Sequence, residues 1–195
     1  MNVLVIHAHP QPDSFNAALH RTVLESLRAA GHAVTDFDLY AEDFDPRLSR
    51  VERDVYHDLS LNQRGKERYV AMLRAAEAVV FVYPVWSFGL PAILKGFFDR
   101  LLMPGVAFDI DGGLVTPKLT NIRRIVGVTT YGRAWWMVKF SVGDLPRAQI
   151  TKYFRWFCHK RAKADYLALY HMNVADEAAR KRFIAKVAKT MTALN

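Results

Sequence analysis

Short apolar runs alternate along the chain with longer stretches in which apolar residues recur every three or four positions. Five of these runs predict strands, and they cover residues 3–8, 33–40, 78–83, 125–130 and 165–172. The runs at 3–8 and 78–83 are almost entirely apolar, which is typical of strands buried on both faces. The run at 33–40 alternates apolar and polar positions, which indicates a less buried strand at the side of a sheet.

Helical spacing predicts five helices between and after the strands. The first begins near Ser14, a favourable N-cap residue, and shows an apolar stripe at Leu19, Val23 and Leu27. The second covers about residues 69–76 and the third about 91–102, opened by Pro91. We predict that Asp144 caps the fourth helix, and that the fifth begins near residue 176.

The order of strands and helices predicts the fold class. Alternating strands and helices form parallel sheets with right-handed crossovers, and 195 residues is a usual size for one domain. We predict a single α/β domain over residues 1–195, a flavodoxin-like three-layer sandwich. Its five-stranded parallel sheet has the order 2-1-3-4-5, with helices on both faces.

Two segments have no clear period. Residues 41–65 are rich in charge, and we interpret them as an excursion over the surface before the strand–helix order resumes. Residues 103–121 are punctuated by glycine and proline, and their acidic pair, Asp109 and Asp111, stands next to Gly112-Gly113. A turn explains that pair at least as well as a catalytic role does.

The positive charge of the chain is unevenly distributed. The net charge is +8, and from residue 147 onward there are 11 Lys and Arg against three Asp and Glu, a surplus of eight. Such a surplus is typical of a solvated helix surface, and also of contact with nucleic acid, a membrane surface or phosphate-bearing cofactors. No nucleic-acid-binding motif accompanies it, so we expect no nucleic-acid partner, and a membrane partner stays an alternative.

The number of cysteines and the lengths of the apolar runs allow predictions about metal binding and about the cellular location of the protein. Cys158 is the single cysteine, which excludes an internal disulfide and leaves no cysteine cluster for a metal, so we predict no metal site. The first residues lack the basic segment of a signal peptide, and no apolar run approaches the roughly 18 residues of a membrane span. We expect a cytoplasmic protein.

In a sheet of this order the loops after the first, third and fourth strands meet at one edge. The first loop offers His9, the hydroxyl of Ser14 and the free N–H groups of a helix N-terminus. These groups suit a phosphate or pyrophosphate, although an ordinary helix cap explains them as well. The loop has neither the glycine-rich dinucleotide fingerprint nor the Walker lysine.

The other two loops add aromatic and hydroxyl groups. The second places Trp86 and Phe88 just beyond a buried strand, where they either join the core or stack on a planar ligand. The third supplies the hydroxyls of Thr129 and Thr130, and Gly132 allows close approach. Together the three loops predict a site for a nucleotide that carries a flat ring. No hydrolytic or metal-binding motif occurs, so an enzyme of this sequence would depend on a cofactor.

The chain resembles the NAD(P)H:quinone oxidoreductase (DT-diaphorase) family of flavodoxin-like flavoproteins over about its first two thirds. The resemblance rests on four features, of which the run Phe88-Gly89-Leu90-Pro91-Ala92-Ile93-Leu94-Lys95-Gly96, within residues 84–100, is the most specific. The others are His9 with Ser14-Phe15-Asn16, Asp38-Leu39-Tyr40-Ala41 with Phe44-Asp45-Pro46, and Thr129-Thr130.

The resemblance implies a homodimer with two active sites at its interface and a tightly held flavin, usually FAD, with FMN as the alternative. It implies that the diphosphate or ribityl chain is held by His9, Ser14, Phe15 and Asn16. The isoalloxazine would be lined by Pro84, Val85, Trp86, Ser87 and Phe88, with Thr129, Thr130, Tyr131 and Gly132 at its pyrimidine side.

The chain departs from the family pattern after Thr130. The mammalian enzymes carry a Tyr and a His there, thought to relay a proton, whereas this chain has Trp135 or Trp136 and then Val142. Tyr131-Gly132 also replaces the usual Gly-Gly. Tyr131 and Trp136 are therefore our candidates for the catalytic role. Loss of one positioned proton donor usually costs about 10²–10⁴ in rate, which puts quinone as the best acceptor in doubt.

The resemblance implies an NAD(P)H dehydrogenase (quinone)-like enzyme. NADH or NADPH would reduce the flavin by hydride transfer and leave, and a small acceptor such as a quinone would follow in the same slot, a ping-pong route. One alternative is a nitro- or azo-reductase of the same fold. A second is a flavin-binding regulatory subunit of a membrane potassium efflux system, for which the basic carboxyl-terminal quarter is the supporting feature.

Overall fold

The computed structural model describes residues 1–195. Its central sheet has five parallel strands in the order β2-β1-β3-β6-β7. These are β1 (Asn2–His7), β2 (Ala33–Asp38), β3 (Ala78–Pro84), β6 (Arg124–Thr130) and β7 (Lys163–Leu169). Because β6 and β7 are the fourth and fifth strands of this sheet, the predicted order and the flavodoxin-like fold class are confirmed.

Helices cover both faces of the sheet. On one face α1 (Phe15–Ala29) and α7 (Glu177–Thr192) bury Leu19, Val23, Phe183 and Val187 against alternate valines of the strands. On the other face lie α3 (Glu67–Ala75) and α4 (Ala92–Leu101). The central strand β3 is buried at every residue, as its continuous apolar run predicts, whereas the edge strand β2 is largely exposed.

The excursion over residues 41–65 contains a short helix, α2 (Arg50–Asp54), that the sequence analysis missed. Ser49 and Glu52 form a capping box at its start. The Glu52 carboxylate also accepts hydrogen bonds from Lys66 Nζ at 3.2 Å and Arg100 Nη2 at 2.8 Å. This ion-pair cluster ties the excursion to α3 and α4.

Gly96 allows the excursion to lie directly against α4. An added Cβ at Gly96 would lie 2.2 Å from the carbonyl oxygen of Pro46, so the excursion crosses the helix at a point where no side chain fits. Pro91 is the N-cap of α4, so the helix begins at Ala92, one position after the start that we predicted.

Residues 103–121 form an antiparallel hairpin of β4 (Phe108–Asp111) and β5 (Leu114–Pro117). Gly112 and Gly113 make its turn with positive φ, which agrees with the turn predicted for the adjacent acidic pair. The two strands were not predicted, because most of their residues are exposed and they lack an apolar face.

The segment between β6 and β7 differs most from prediction. Residues Trp135–Ser141 form a short helix, α5, that was not predicted. After it come α6 (Leu145–Ala148), a π-helical continuation (Gln149–Phe154) and, beyond β7, a 3₁₀ turn (Met172–Val174). Asp144 is the N-cap residue of α6, as predicted, but its side chain makes no capping bond and its backbone is left-handed, with φ of 47°. No helix combines the length and apolar character that crossing a bilayer requires.

Candidate functional site

The three loops that we expected to converge do meet at the carboxyl edge of the sheet. The rings of His9 and Trp86 lie with centroids 5.7 Å apart, which joins the first loop to the second. The N–H of Val85 donates to the carbonyl of Thr130 at 2.8 Å, which joins the second loop to the third. The predicted convergence therefore follows from the parallel pairing of β1, β3 and β6.

The first loop leads from β1 into α1. Ser14 is the helix cap: its Oγ accepts from the N–H of Ala17 at 3.0 Å and donates to the carbonyl of Gln11 at 2.9 Å. Asn16 is buried, and neither its amide nitrogen nor its amide oxygen has a hydrogen-bond partner. A buried amide without partners costs about 1–3 kcal/mol, so its retention indicates a polar group that this chain does not itself supply.

His9 and Phe15 frame the same loop. His9 Nδ1 accepts from the N–H of Gln11 at 3.0 Å, so Nε2 carries the proton of the neutral ring. Burial lowers the pKa of His9, against an opposing hydrogen bond from Gln11, so the ring is neutral at physiological pH. Phe15 is half-buried beside the core of the α1 face.

The second loop is a tight turn that displays two aromatic rings. Trp86 and Gly89 bond reciprocally through their backbones, at 3.2 and 2.8 Å. Ser87 and Phe88 between them both have positive φ, 49° and 57°, as a type I′ turn requires. Such non-glycine residues cost about 1–3 kcal/mol each and concentrate at functional sites. Pro84 is buried and Val85 half-buried, while Trp86, Ser87 and Phe88 are exposed.

The third loop supplies buried hydroxyls. Thr129 and Thr130 are buried at the end of β6, and Thr129 Oγ1 has no hydrogen-bond partner. Gly132 is half-buried, and a Cβ there would approach the side chain of Asn173 to 3.1 Å. Close contact with Asn173 thus explains the glycine at this position.

Tyr131 lies inside the domain and ends a chain of three hydroxyls. The Tyr131 hydroxyl donates its one proton to Asp144 Oδ1 at 2.5 Å. It must therefore accept from the Tyr166 hydroxyl at 2.7 Å, and the Tyr166 hydroxyl accepts from that of Tyr83 at 3.0 Å. Tyr170 donates to the other Asp144 oxygen at 3.3 Å and stacks on Tyr131. Burial raises the pKa of Tyr83, Tyr131 and Tyr166 well above the ordinary range and that of Tyr170 to about 12.

Trp136 is placed differently from Tyr131. It lies on α5 with 53% of its surface exposed, whereas Tyr131 is 1% exposed. The two candidates for the catalytic role therefore face different environments. Trp136 is one of several exposed large apolar residues between β6 and β7, and we call the group the exposed aromatic surface. The others are Trp135, Phe140, Leu145, Tyr153 and Trp156.

A cavity of about 390 Å³ adjoins the first loop, and its buried histidines were not predicted as site residues. Its lining includes His7, His20 and Arg21, with Asp38 and Tyr40 from the end of β2. His7 and His20 stack with centroids 4.1 Å apart. His7 Nδ1 bonds to Asp38 at 2.7 Å, and His7 Nε2 is buried without a partner.

A signal for this cavity was present in the sequence. His7 interrupts the otherwise apolar first strand, and a histidine in such a run is either a satisfied core residue or a ligand group. Potential ligand atoms of His7, His20 and Asp38 lie within 4.8 Å of one another. Carboxylates already hold one nitrogen of each ring, since His20 Nε2 bonds to Asp36 at 2.8 Å.

Comparison with known proteins gives consistent matches. A family model described as flavodoxin-like fold matches residues 1–191. The ribosyldihydronicotinamide dehydrogenase (quinone) of Homo sapiens is 33% identical, covering 94% of this chain and 87% of its own. That of Pongo abelii is 32% identical with the same coverage. Among solved structures, Smu.1420 from Streptococcus mutans UA159 has a TM-score of 0.83 and 26% identity over 100% of both chains.

Proposed function

The chain belongs to the flavodoxin-like family that includes the quinone dehydrogenases, and from this membership we propose that it is a flavin-dependent NAD(P)H oxidoreductase. Its reaction is the two-electron reduction of quinones or related small acceptors, by a ping-pong route. A bound flavin supplies the redox chemistry, taking a hydride from NADH or NADPH and passing two electrons to the acceptor.

Unpartnered polar atoms at the carboxyl edge of the sheet carry this proposal. His7 Nε2, both amide atoms of Asn16 and Thr129 Oγ1 are all buried without hydrogen-bond partners. They belong to the end of β1, the first turn of α1 and the end of β6, the elements that border the three converging loops. Native proteins rarely leave such atoms unsatisfied, so these residues fit a polar cofactor.

In this proposal the diphosphate or ribityl chain lies against His9, Ser14, Phe15 and Asn16. The Ser14 hydroxyl is engaged in the helix cap, so its own role is to hold the first turn of α1 and present the free N–H groups there. Asn16 supplies one acceptor and an NH₂ group toward the cofactor. The neutral His9 ring donates through Nε2.

The isoalloxazine lies beside the turn formed by Pro84, Val85, Trp86, Ser87 and Phe88. The strained turn holds the Trp86 and Phe88 rings at the sheet edge before any ligand arrives, which reduces the entropy lost on binding. Thr129, Thr130, Tyr131 and Gly132 border the pyrimidine side. Thr129 brings an unpartnered hydroxyl, and the buried Tyr131 fixes the loop through Asp144.

FAD is the flavin that we propose. The cavity of about 390 Å³ beside the first loop offers room beyond the diphosphate, and Arg21 brings positive charge to its lining. Tyr40, also in the lining, is suited to contact an adenine ring. FMN would leave this cavity unused.

We propose that the exposed aromatic surface is covered by a second copy of the chain. Trp135, Trp136, Phe140 and Tyr153 are all more than half exposed, and the rings of Trp135 and Phe140 lie 6.2 Å apart. Exposed large apolar side chains that cluster on a surface are typical of a site that binds another protein. In the dimer Trp136 would face the nicotinamide or acceptor slot, as the resemblance implies for a site at the interface. We place the protein in the cytoplasm, where reduced nicotinamide nucleotides are made.

Absorbance of the purified protein tests the proposed function. We expect flavin bands that bleach on anaerobic addition of NADH or NADPH and return when a quinone is added, and chromatography of the released flavin identifies FAD. A colourless protein that takes up neither FAD nor FMN would overturn the proposal. Bands that return with an azo dye but not with a quinone would support the azo-reductase alternative, and flavin without turnover would support the regulatory one.

A further inference from the structure

A second cavity, of about 540 Å³, opens at the amino edge of the central sheet. β6 runs from Arg124 at this edge to Thr130 at the candidate flavin site, so its seven residues separate the two sites by about 20 Å. The cavity is lined by Arg123, Arg124, His159, Lys160, Arg161 and Lys163, together with Asn195. Met1 is its one apolar lining residue, and no Asp or Glu side chain lines it. We call this lining the basic cavity.

The positive charges of the basic cavity are mostly uncompensated. Arg124 pairs with Asp165 at 3.0 Å, whereas Arg123, Lys160, Arg161 and Lys163 have no carboxylate within ion-pair distance. The Nε atom of Arg124 is buried and has no hydrogen-bond partner. A cluster of cations without counter-charges disfavours the folded state until an anion binds there.

The fold itself forces these cations together. Arg124 and Lys163 are register partners on β6 and β7, so their side chains leave the sheet on the same face. Like charges in directly opposed positions are destabilising, and a bound anion would offset the repulsion between these two side chains.

Backbone bonds close the 159–161 loop over the same edge. The N–H of His159 donates to the carbonyl of Ile122 at 3.1 Å, and the N–H of Lys163 donates to that of Arg123 at 3.0 Å. His159 Nδ1 accepts from the N–H of Arg161 at 3.1 Å, which tightens the loop. The cations are therefore held around a concave space by hydrogen-bonded backbone, and they do not belong to a flexible tail.

We propose that the basic cavity binds a small soluble polyanion that carries several phosphate groups. Arginine and lysine are the side chains that recognise phosphate, and their number here suits a ligand with multiple negative charges. No Phe, Tyr or Trp side chain lines the cavity, so it lacks the large aromatic ring on which a nucleobase usually stacks. A concave pocket fits a compact ligand, whereas a membrane or a duplex requires an extended face. The site accounts for part of the basic carboxyl-terminal surplus, which the flavin site does not use.

Calorimetric titration of the flavin-loaded full-length protein with inorganic tripolyphosphate tests this inference. We expect saturable binding at about 150 mM salt, weakened at least ten-fold in the double variant Arg123→Gln/Arg161→Gln. The matched control is Arg182→Gln/Lys186→Gln, which removes the same charge from exposed positions of α7 and should leave the affinity unchanged. Flavin content and the unfolding midpoint of each variant establish that it is folded.

Two outcomes would overturn the proposal. One is no saturable binding of tripolyphosphate, and the other is an equal loss of affinity in both double variants, because the affinity would then follow net charge alone. Co-sedimentation with phosphatidylglycerol vesicles and binding of a short DNA duplex are measured in parallel. If vesicles or DNA bind through Arg123 and Arg161 while tripolyphosphate neither binds nor competes, the ligand is a macromolecular surface and the small-ligand proposal is wrong.

Discussion

The hydroxyl of Tyr131 donates a 2.5 Å hydrogen bond to Asp144, a residue whose left-handed backbone brings its carboxylate under the third loop. The second carboxylate oxygen accepts from Tyr170. This one side chain therefore anchors both the loop after β6 and the segment after β7. The Asp144 side chain holds Tyr131 and makes no capping bond to the helix that follows.

Replacing Asp144 with Asn should weaken this anchor without disturbing the backbone, because Asn tolerates the left-handed conformation. The amide offers one acceptor oxygen where the carboxylate offers two, so either Tyr131 or Tyr170 loses its partner. We expect the free energy of unfolding to fall by about 1–3 kcal/mol, measured by urea denaturation. Asp111→Asn, at the exposed end of β4, is the control and should change stability little. Equal stability of Asp144→Asn and wild type would contradict the anchoring role.

Gly96→Ala should destabilise the protein by about 1–3 kcal/mol, because its Cβ would meet the backbone of Pro46 at 2.2 Å. Gly89→Ala in the same motif is the matched control. Its Cβ meets nothing closer than the carbonyl oxygen of Trp86 at 3.7 Å, so its effect on stability should be small. Thermal unfolding of the two variants compares them directly. If Gly96→Ala unfolds at the wild-type midpoint, the excursion does not rest on α4 as described.

Glu52 should make stability depend on acidic pH. Burial opposes its ionisation, but the N–H of Ser49 and the side chains of Arg100 and Lys66 outweigh burial and lower its pKa to about 2. Because the pKa is lower in the folded state, its stabilising effect is complete above the ordinary value of 4.5 and is lost as pH falls toward 2.

Glu52→Gln should therefore lower the free energy of unfolding at pH 7 by about 3 kcal/mol and flatten its dependence on pH between 4.5 and 2. The control is Glu42→Gln, which breaks an exposed pair with Arg68 and should have little effect at neutral pH. Denaturant titrations at several pH values measure both. A Glu52→Gln variant that keeps the wild-type pH slope would contradict this assignment.

Ser87 tests whether the strained turn matters to the candidate flavin site. Ser87→Gly removes the cost of a positive φ and should raise stability by about 1 kcal/mol while keeping flavin affinity. Ser87→Val, a β-branched residue that resists this conformation, should destabilise the turn and weaken flavin binding. Flavin fluorescence titration and thermal unfolding give the two readouts. Identical flavin affinities in the Ser87→Gly and Ser87→Val variants would show that the conformation of the turn does not affect flavin binding.

The apolar pattern predicts most of the layered fold because its signals are local and strong. The continuous run of β3 and the alternation of β2 gave the buried and outer strands, and Ser14 and Asp176 were found at the helix starts, where they act as caps. Helix α5 lacked such signals, since Ala134 offers no capping side chain and Trp135, Trp136 and Phe140 are exposed.

The candidate site was predictable as far as backbone topology determines it. Parallel order alone brings the loops of His9, Trp86 and Thr130 together. The hydroxyl chain was not predictable, because the contact between Tyr131 and Asp144 depends on the left-handed backbone of Asp144, which has no signal in the sequence. His7 was missed because a histidine in an apolar strand is more often a satisfied core residue.

The affinity of the apoprotein for FAD, compared between wild type and Asn16→Leu, tests the central claim most directly. Leu is close to Asn in size and removes two buried polar atoms that lack partners. The account predicts FAD binding at least ten-fold weaker, with apoprotein stability unchanged or increased by about 1–3 kcal/mol. Asn62→Leu is the control: its amide donates to two carbonyls, so it should lose stability but keep FAD affinity. Wild-type FAD affinity in Asn16→Leu would contradict a flavin at this edge of the sheet.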